Sequence, residues 1–568
     1  MFKKLLNAAG RPAHPYIPEL CDELRRGAVS RREFLRTACL LGLSAASAYA
    51  LAGRITGEAL TPRALADTPK QGGVLRMGMT VREIVDPAVL DSVTQSNQAR
   101  TMLEFLTRTG ADNVTRPYLA QSWEASDDLK TWTLNLRTDV TWSNGDAFNA
   151  DDVVFNVTRW LDPDVGSSTM GLLSAMVEEV DTGKKDDKGQ PVMGKRMIAG
   201  AVEKTGEHQV VLHLAKPDLA IPESLFHFSA PIVHRRFVEE GGNFVSNPVG
   251  TGPFWLVSLT PAEKMVVKRR DGYWGTPALL DAIEFIDLGQ DPSATLNALQ
   301  SGQIDLAYEF SIDQVSALEG MKDVTIFEQV TAQTAVGRMQ SDKEPFTDKR
   351  VRQAVVSALD NAKILEIAYR GRGAVGENHH VAPIHPEYFA LPPLKQDYAK
   401  AKALLAEAGH ADGLKIEIAV TNATGSWEGA AVEAMKAQLA PAGIDLAINV
   451  MPSAMFWDIW LSAPFCFTPW THRPLGVMVL NLAYRSGVPW NEAHYSNPAF
   501  DAALTEASGI LDAEARRAKM QEVEQILQDD AVIAQPIWRP VITAGQSKVQ
   551  GFEMHPTQYY DLAKVWLS

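Results

Sequence analysis

Chemistry-bearing side chains concentrate in Phe467 to Pro474, FTPWTHRP, where an indole (Trp470), an imidazole (His472) and a guanidinium (Arg473) fall within four residues. Pro469 and Pro474 fix local backbone angles and lack N–H donors, so the segment is predicted to be a rigid loop presenting side chains, not a helix or a central strand. A guanidinium held this way accepts a carboxylate or phosphate through a two-point fork. Two plainer readings compete. The loop is a surface turn with Arg473 solvated and Trp470 capping a core, or Arg473 pairs internally with Glu492 or Asp458.

Other groupings carry less. GRGAVG (Gly371 to Gly376) fits the spacing G-x-G-x-x-G, but it follows an apolar helix instead of a strand and leads into HHVAPIHP instead of a helix, so the dinucleotide reading fails. His379, His380 and His385 are metal candidates, although their proline-rich loop suits surface imidazoles equally well. No nucleophile elbow, HExxH or P-loop is present, and the chain is read as a non-enzyme without a cofactor.

A chain of 568 residues exceeds one core and is expected to form at least two lobes. Its 46% hydrophobic and 22% charged residues are those of an ordinary globular protein, which leaves no case for broad disorder. The beginning differs. SRREFLR (Ser30 to Arg36) precedes the apolar run Thr37 to Ala52, a pattern similar to a twin-arginine export signal with Arg31 and Arg32 as the pair. The run is too short and too rich in small residues for a stable membrane span. Cleavage is placed after Ala66. Residues 67–568 then hold 44 basic and 64 acidic residues, a net charge of −20, which argues against nucleic acid or an anionic membrane surface as partner. Cys21 and Cys39 leave with the signal and Cys466 remains alone, which excludes a disulfide framework and a multi-cysteine metal site.

The elements that must position the loop are legible in part. GGVLRMGM (Gly72 to Met79) is a strand, and VDPAVLD is a turn into a helical stretch ending near Gly110. Trp132, Leu134 and Leu136 alternate as a half-buried strand, Asn144-Gly145 makes a hairpin-type turn, and Asn149 or Asp151 caps a helix to Trp160. Asp181 to Lys195 is an exposed insertion. NPVGTGPF opens a glycine-proline corner followed by two strands, and LNALQSGQIDLAYEF is a helix stopped by Gly302 and then a strand. In EPFTDKRVRQAVVSALD, Thr347 or Asp348 caps a helix whose apolar stripe is Val351, Ala354, Val355, Ala358 and Leu359.

DDLKTWTLNLR, PVGTGPF with its later YW, SGQIDL and PFTDKRVRQAVVSALD, in this order and spacing, resemble the periplasmic solute-binding proteins of the oligopeptide and dipeptide (family 5) class that serve ABC transporters. YSNPAFDAALTEA and the long helix through Ala531 add to the likeness, which covers nearly all of residues 70–568. The resemblance implies an α/β fold of two lobes joined by crossing strands, type II-like, with an extra subdomain in lobe one. Lobe one would span 67–288, lobe two 289–537, and 538–568 would return to lobe one, with crossings near Leu288 and Trp538. It also implies a monomer that captures a peptide or small polar solute in the periplasm for the permease subunits, and the Arg31-Arg32 signal pattern implies an encounter with the twin-arginine translocase during export. Peptide-binding members carry a tryptophan, two spacers and an aspartate that pairs with the ligand's α-amine. Here the acid is replaced by Arg473, which repels an amine and welcomes an acid. Asp91 falls where some members place an acidic ligand contact. The candidate ligand-binding set is Arg473, Trp470, His472, Asp91, Trp490, Tyr484, Trp538 and His380. Import of nickel or haem, given the histidines, or an exported cofactor-containing enzyme, are the alternatives.

Overall fold

The computed structural model describes residues 17–26, 34, 69–185, 191–289 and 291–568. Arg31, Arg32, the apolar run and Ala66 lie outside the described residues. Two units separate, Met1–Lys70 (with Ser568) and Gln71–Leu567, and the first contains the helix Ile17–Arg25. No described helix is long and apolar enough to cross a membrane.

The second unit begins with β1 (Val74–Gly78), followed by a short helix, Val93–Ala99, capped by Ser92. The helix stops there instead of continuing to Gly110, and the remainder forms the hairpin β2 (Thr107–Thr109) and β3 (Thr115–Pro117). Its turn needs a left-handed residue, supplied by Asn113 at φ +59°. β4 (Ala120–Ala125) and β5 (Thr131–Leu136) follow. The period-two pattern of β5 buries Trp132, Leu134 and Leu136 on one face. Asn149 then caps the helix Ala150–Trp160 in a reciprocal box with Asp152. The expected exposed insertion is a two-stranded ribbon, β6 (Val177–Lys185) and β7 (Pro191–Met197). β8 (Val202–Gly206) and β9 (Gln209–His213) complete a four-stranded sheet in the order β4-β5-β9-β8, the extra subdomain.

β10 (Phe254–Thr260), β11 (Lys264–Arg269) and β12 (Ala282–Ile286) return to β1, as does β13 (Leu306–Ala307), which pairs β1 after the chain has passed Leu288. The 16-residue β14 (Val324–Met339) carries the chain across to the second lobe. There β15 (Ala374–Val375), β16 (Leu414–Val420), β17 (Ile444–Val450) and β18 (Phe465–Trp470) are built, before β19 (Ile533–Ala534) and β20 (Ile537–Gln546) lead back. The main path of the sheet runs β10-β11-β12-β1-β13-β20-β14-β18-β16-β17, with β14 and β20 shared by both lobes. One core gathers Leu75, Met77, Ile283 and Phe285, and another Val351, Val355, Ile418 and Leu446. Asp348 is the cap of the helix Lys349–Ser357, whose stripe faces that second core.

Two details shape the site. β18 extends through Pro469, against expectation; it pairs β16 only at Cys466 and Phe467, so Pro469 has β14 alone as neighbour and its missing N–H costs no bond on the other side. The pairing of β14 with β20 also slips between Val330 and Gln333, leaving Thr331 and Ala332 in a bulge.

Candidate functional site

The bulge is where the loop attaches. An unpaired buried N–H is costly, and here the orphans find side chains: Gln333 N–H donates to Thr331 Oγ1 (2.8 Å), and Ala332 N–H donates to His472 Nδ1 (3.0 Å). With Nδ1 accepting, the ring proton sits on Nε2, which donates to Asn113 Oδ1 (3.1 Å) at the tip of the β2–β3 hairpin. The Asn113 amide in turn donates to the carbonyls of Pro474 (2.8 Å) and Ile384 (3.3 Å). His385 Nε2 is bonded to the Arg473 carbonyl (2.9 Å) while its Nδ1 accepts from Ala382 N–H (3.0 Å). Burial, with the nearby His385, His555 and Arg473, holds His472 well below the ordinary imidazole range, as its role as an acceptor requires. His472 is therefore a strut with both nitrogens committed.

Trp470 is pinned as firmly. Its Nε1 donates to Glu492 Oε1 (2.8 Å), and Glu492 Oε2 accepts from Thr468 Oγ1 (2.7 Å) and from Arg338 Nε (3.0 Å). Glu492 thus pairs with Arg338, and the internal pairing of Arg473 with Glu492 does not occur. Trp490, 45% exposed, lies edge-on to Trp470 at 6.0 Å between ring centroids. Behind Trp470 is a buried aromatic box. His380, at φ +56°, packs against Trp470 (5.4 Å), Tyr484 (5.6 Å) and Trp538 (5.9 Å), and its Nδ1 lies 2.7 Å from the Tyr484 hydroxyl. Burial pushes His380 down to about 3. His380, packed in turn against Tyr484 and Trp538, is the ring that Trp470 rests on from this side. Asp91 is placed apart from this arrangement, in an exposed ion pair with Arg82.

Arg473 is the exception. Its Nη1 donates only to its own segment, Thr471 Oγ1 (2.7 Å) and the His472 carbonyl (3.2 Å), and among the described residues no carboxylate pairs with it. Burial lowers its affinity for a proton, opposed only by Tyr559. The fold therefore holds the loop through β14, Asn113 and His385 and leaves the half-buried guanidinium of Arg473 without a carboxylate partner among the described residues. That arrangement is suited to an acid from outside.

A cavity of about 850 Å³ involves the hairpin residues Arg108, Asp112 and Arg116 together with Glu328 on β14. Of its charged lining, Arg116 pairs with Asp112, Arg108 and Lys564 with Asp561, and Glu328 with Arg372. The histidines of the HHVAPIHP loop diverge. His379 Nδ1 accepts from Val381 N–H, His380 faces Tyr484 and His385 holds Arg473 O. Among the described residues no group of three or more His, Cys, Asp or Glu is placed to hold a metal ion. Asn113 and Arg338 were not singled out by sequence reasoning, and His385 and Glu492 were considered in other roles, as a metal candidate and as a partner of Arg473. Only Asn113, an asparagine in a turn, leaves a local trace.

A charged loop beside two strands common to both halves of one sheet defines a two-lobed solute-binding protein. Residues 115–490 match the family model of bacterial extracellular solute-binding proteins, family 5 (middle region), and the chain belongs to that family. It is 26% identical over 509 residues to the periplasmic oligopeptide-binding protein OppA of Haemophilus influenzae, covering 85% of this chain and 91% of that one. It is 27% identical over 477 residues to heme-binding protein A of the same organism, covering 78% and 82%. The structure of HbpA2 from Haemophilus parasuis superposes with a TM-score of 0.76 at 21% identity, over 87% of this chain and all of the other, which supports the two-lobed fold.

Proposed function

We propose that this protein is the solute-capturing component of an ABC importer, exported through the twin-arginine route by Arg31 and Arg32. It works as a periplasmic monomer that closes on a peptide or peptide-like polar solute and passes it to the permease. The observation that carries the specificity is the unpaired guanidinium of Arg473, held at the end of β18 where peptide-binding relatives are expected to carry an acid. The end of the solute lying there is an acidic or strongly hydrogen-accepting group, seated near Trp470 and Trp490, with His472, His380, Tyr484 and Trp538 fixing the loop behind. Closure rotates the lobes about the shared strands β14 and β20, and the Thr331–Ala332 bulge is the natural flexing point because its backbone is held by side chains instead of ladder bonds. Native mass spectrometry of protein taken from the periplasm tests the reading. A co-purified small acidic solute is expected, and a solute with only cationic or neutral groups overturns the specificity. Replacing Arg31 and Arg32 by lysine keeps charge but removes the guanidinium pair, so export is expected to stop; normal export in that variant contradicts the route.

A further inference from the structure

The β2–β3 hairpin is tied to the first lobe at its base and to the second lobe at its tip. At the base, Arg108 Nη1 donates to Asp561 Oδ2 (3.1 Å), and His555 Nε2 is bonded to the Thr109 carbonyl (3.0 Å). Both partners lie on the C-terminal return, whose Met554 and Leu562 belong to the same core as Met77 and Phe285. The ribbon itself is stiff. The hydroxyls of Thr109 and Thr115 meet at 2.9 Å, Gly110 N–H donates to the Val114 carbonyl (3.0 Å), and Arg116 closes on Asp112 with a two-point fork. At the tip Asn113, 2% exposed and left-handed, makes three bonds to the second lobe with one side chain. It accepts from His472 Nε2 (3.1 Å) and donates to the carbonyls of Pro474 (2.8 Å) and Ile384 (3.3 Å). His472 and Pro474 are the two chain neighbours of Arg473, so the hairpin grips the loop on either side of that guanidinium. Rotating the lobes apart about β14 and β20 must pull this tip out of the loop and break all three bonds. Each such bond shifts an equilibrium by a few-fold, and three together by at least about ten-fold.

We propose that Asn113 is a closure latch, which holds the lobes of the solute-free protein together so that an arriving solute captures a closed state already populated instead of having to create it. The inference rests on the solute-binding reading above, in which the apparent affinity is that of the closed state scaled by the fraction of molecules closed. Asparagine suits the task because it tolerates the left-handed turn and offers one acceptor and two donors on a short side chain. The latch and the Arg473 contact act on one loop, so a solute paired with Arg473 adds to a bias that the hairpin has already set.

Small-angle scattering of the exported protein, stripped of solute by unfolding and refolding, reads the latch without any ligand. The stripped unmodified protein is expected to scatter as the closed form, with a closed-to-open ratio of at least about ten. Asn113→Gly removes the side chain and leaves the left-handed turn unstrained. The ratio is expected to fall at least about ten-fold, seen as a larger radius of gyration. Asn113→Asp keeps the acceptor for His472 but sets a carboxylate against two carbonyl oxygens, so it is expected to open at least as far, and it serves where Asn113→Gly fails to fold. A residue that only braced the fold would lower the denaturant midpoint and leave the radius of gyration of the folded protein unchanged. Equal radii in the unmodified protein and the variants, or a stripped unmodified protein already as expanded as they are, overturns the latch. Neither result touches the solute-binding reading, which native mass spectrometry decides separately, and the lack of a co-purified solute would leave the scattering result standing.

Discussion

Two arginines flank the same pair of strands and are treated in opposite ways. Arg338, on β14 opposite Cys466, has its side chain wholly enclosed: Nε binds Glu492, the Nη groups reach the carbonyls of Ala463 and Trp460, and Cys466 Sγ lies 3.4 Å away. Arg473, three residues past the other end of β18, has a pinned backbone and a guanidinium that, among the described residues, meets no acid. A buried charge supplied with every partner holds the fold together. One without a carboxylate among the described residues, on a backbone this firmly fixed, is what the proposed solute contact would use. Glu492 joins the two regions, because its other oxygen fixes Trp470.

The comparison breaks most heavily at Glu492. Glu492→Gln leaves Arg338 enclosed without its counter-charge, and a loss of about 3–5 kcal/mol of stability is expected in chemical denaturation. A loss under about 1 kcal/mol would show that the carbonyls alone carry Arg338.

Next in size is Asn113→Ala, which removes the acceptor of His472 Nε2 and the donor to two carbonyls. About 1–3 kcal/mol is expected, with weaker solute binding because the hairpin of the first lobe no longer braces the loop. Unchanged stability and unchanged binding together would mean that the strut is idle.

A pH-dependent effect sharpens the contrast at a third buried site. Glu524 is pushed up to about 9, first by burial and further by Glu377 and Glu387, against a donation from Phe389 N–H. The folded state therefore holds a proton that the unfolded chain releases above its ordinary carboxyl range near 4.5. Stability contributed by this protonated acid is complete below that range and is lost as pH rises through the window to about 9, by at most about 1.4 kcal/mol per pH unit. Glu524→Gln keeps the neutral shape and should flatten the decline in denaturant midpoint between pH 5 and 9; an identical pH profile would place the proton elsewhere.

Much of this architecture could be read in the chain. Trp132, Leu134 and Leu136 announce a strand, Asn149 and Asp348 announce helix starts, and both follow from local periodicity and capping. What stayed hidden depends on topology. The first strand of the hairpin, Thr107 to Thr109, falls inside a stretch expected as helix to near Gly110, because a three-residue strand is too short to set a period. Pro469 was expected to exclude a strand, but beyond Phe467 β18 has one neighbour only. His472 meets Asn113 across 359 residues and Arg338 meets Glu492 across 154, separations at which no spacing rule operates. Arg473 stood out as an unusual charge in a rigid segment.

The central claim is that Arg473 is unpaired in the protein so that it can pair with the solute. Arg473→Ala, measured for affinity toward the solute recovered from natively purified protein and for unfolding free energy side by side, tests it most directly. The expected result is a loss of about 2–5 kcal/mol in binding, roughly thirty- to several-thousand-fold, with stability within about 0.5 kcal/mol of the unmodified protein. An unchanged dissociation constant together with a lowered melting temperature would contradict it, and would make Arg473 a structural residue like Arg338.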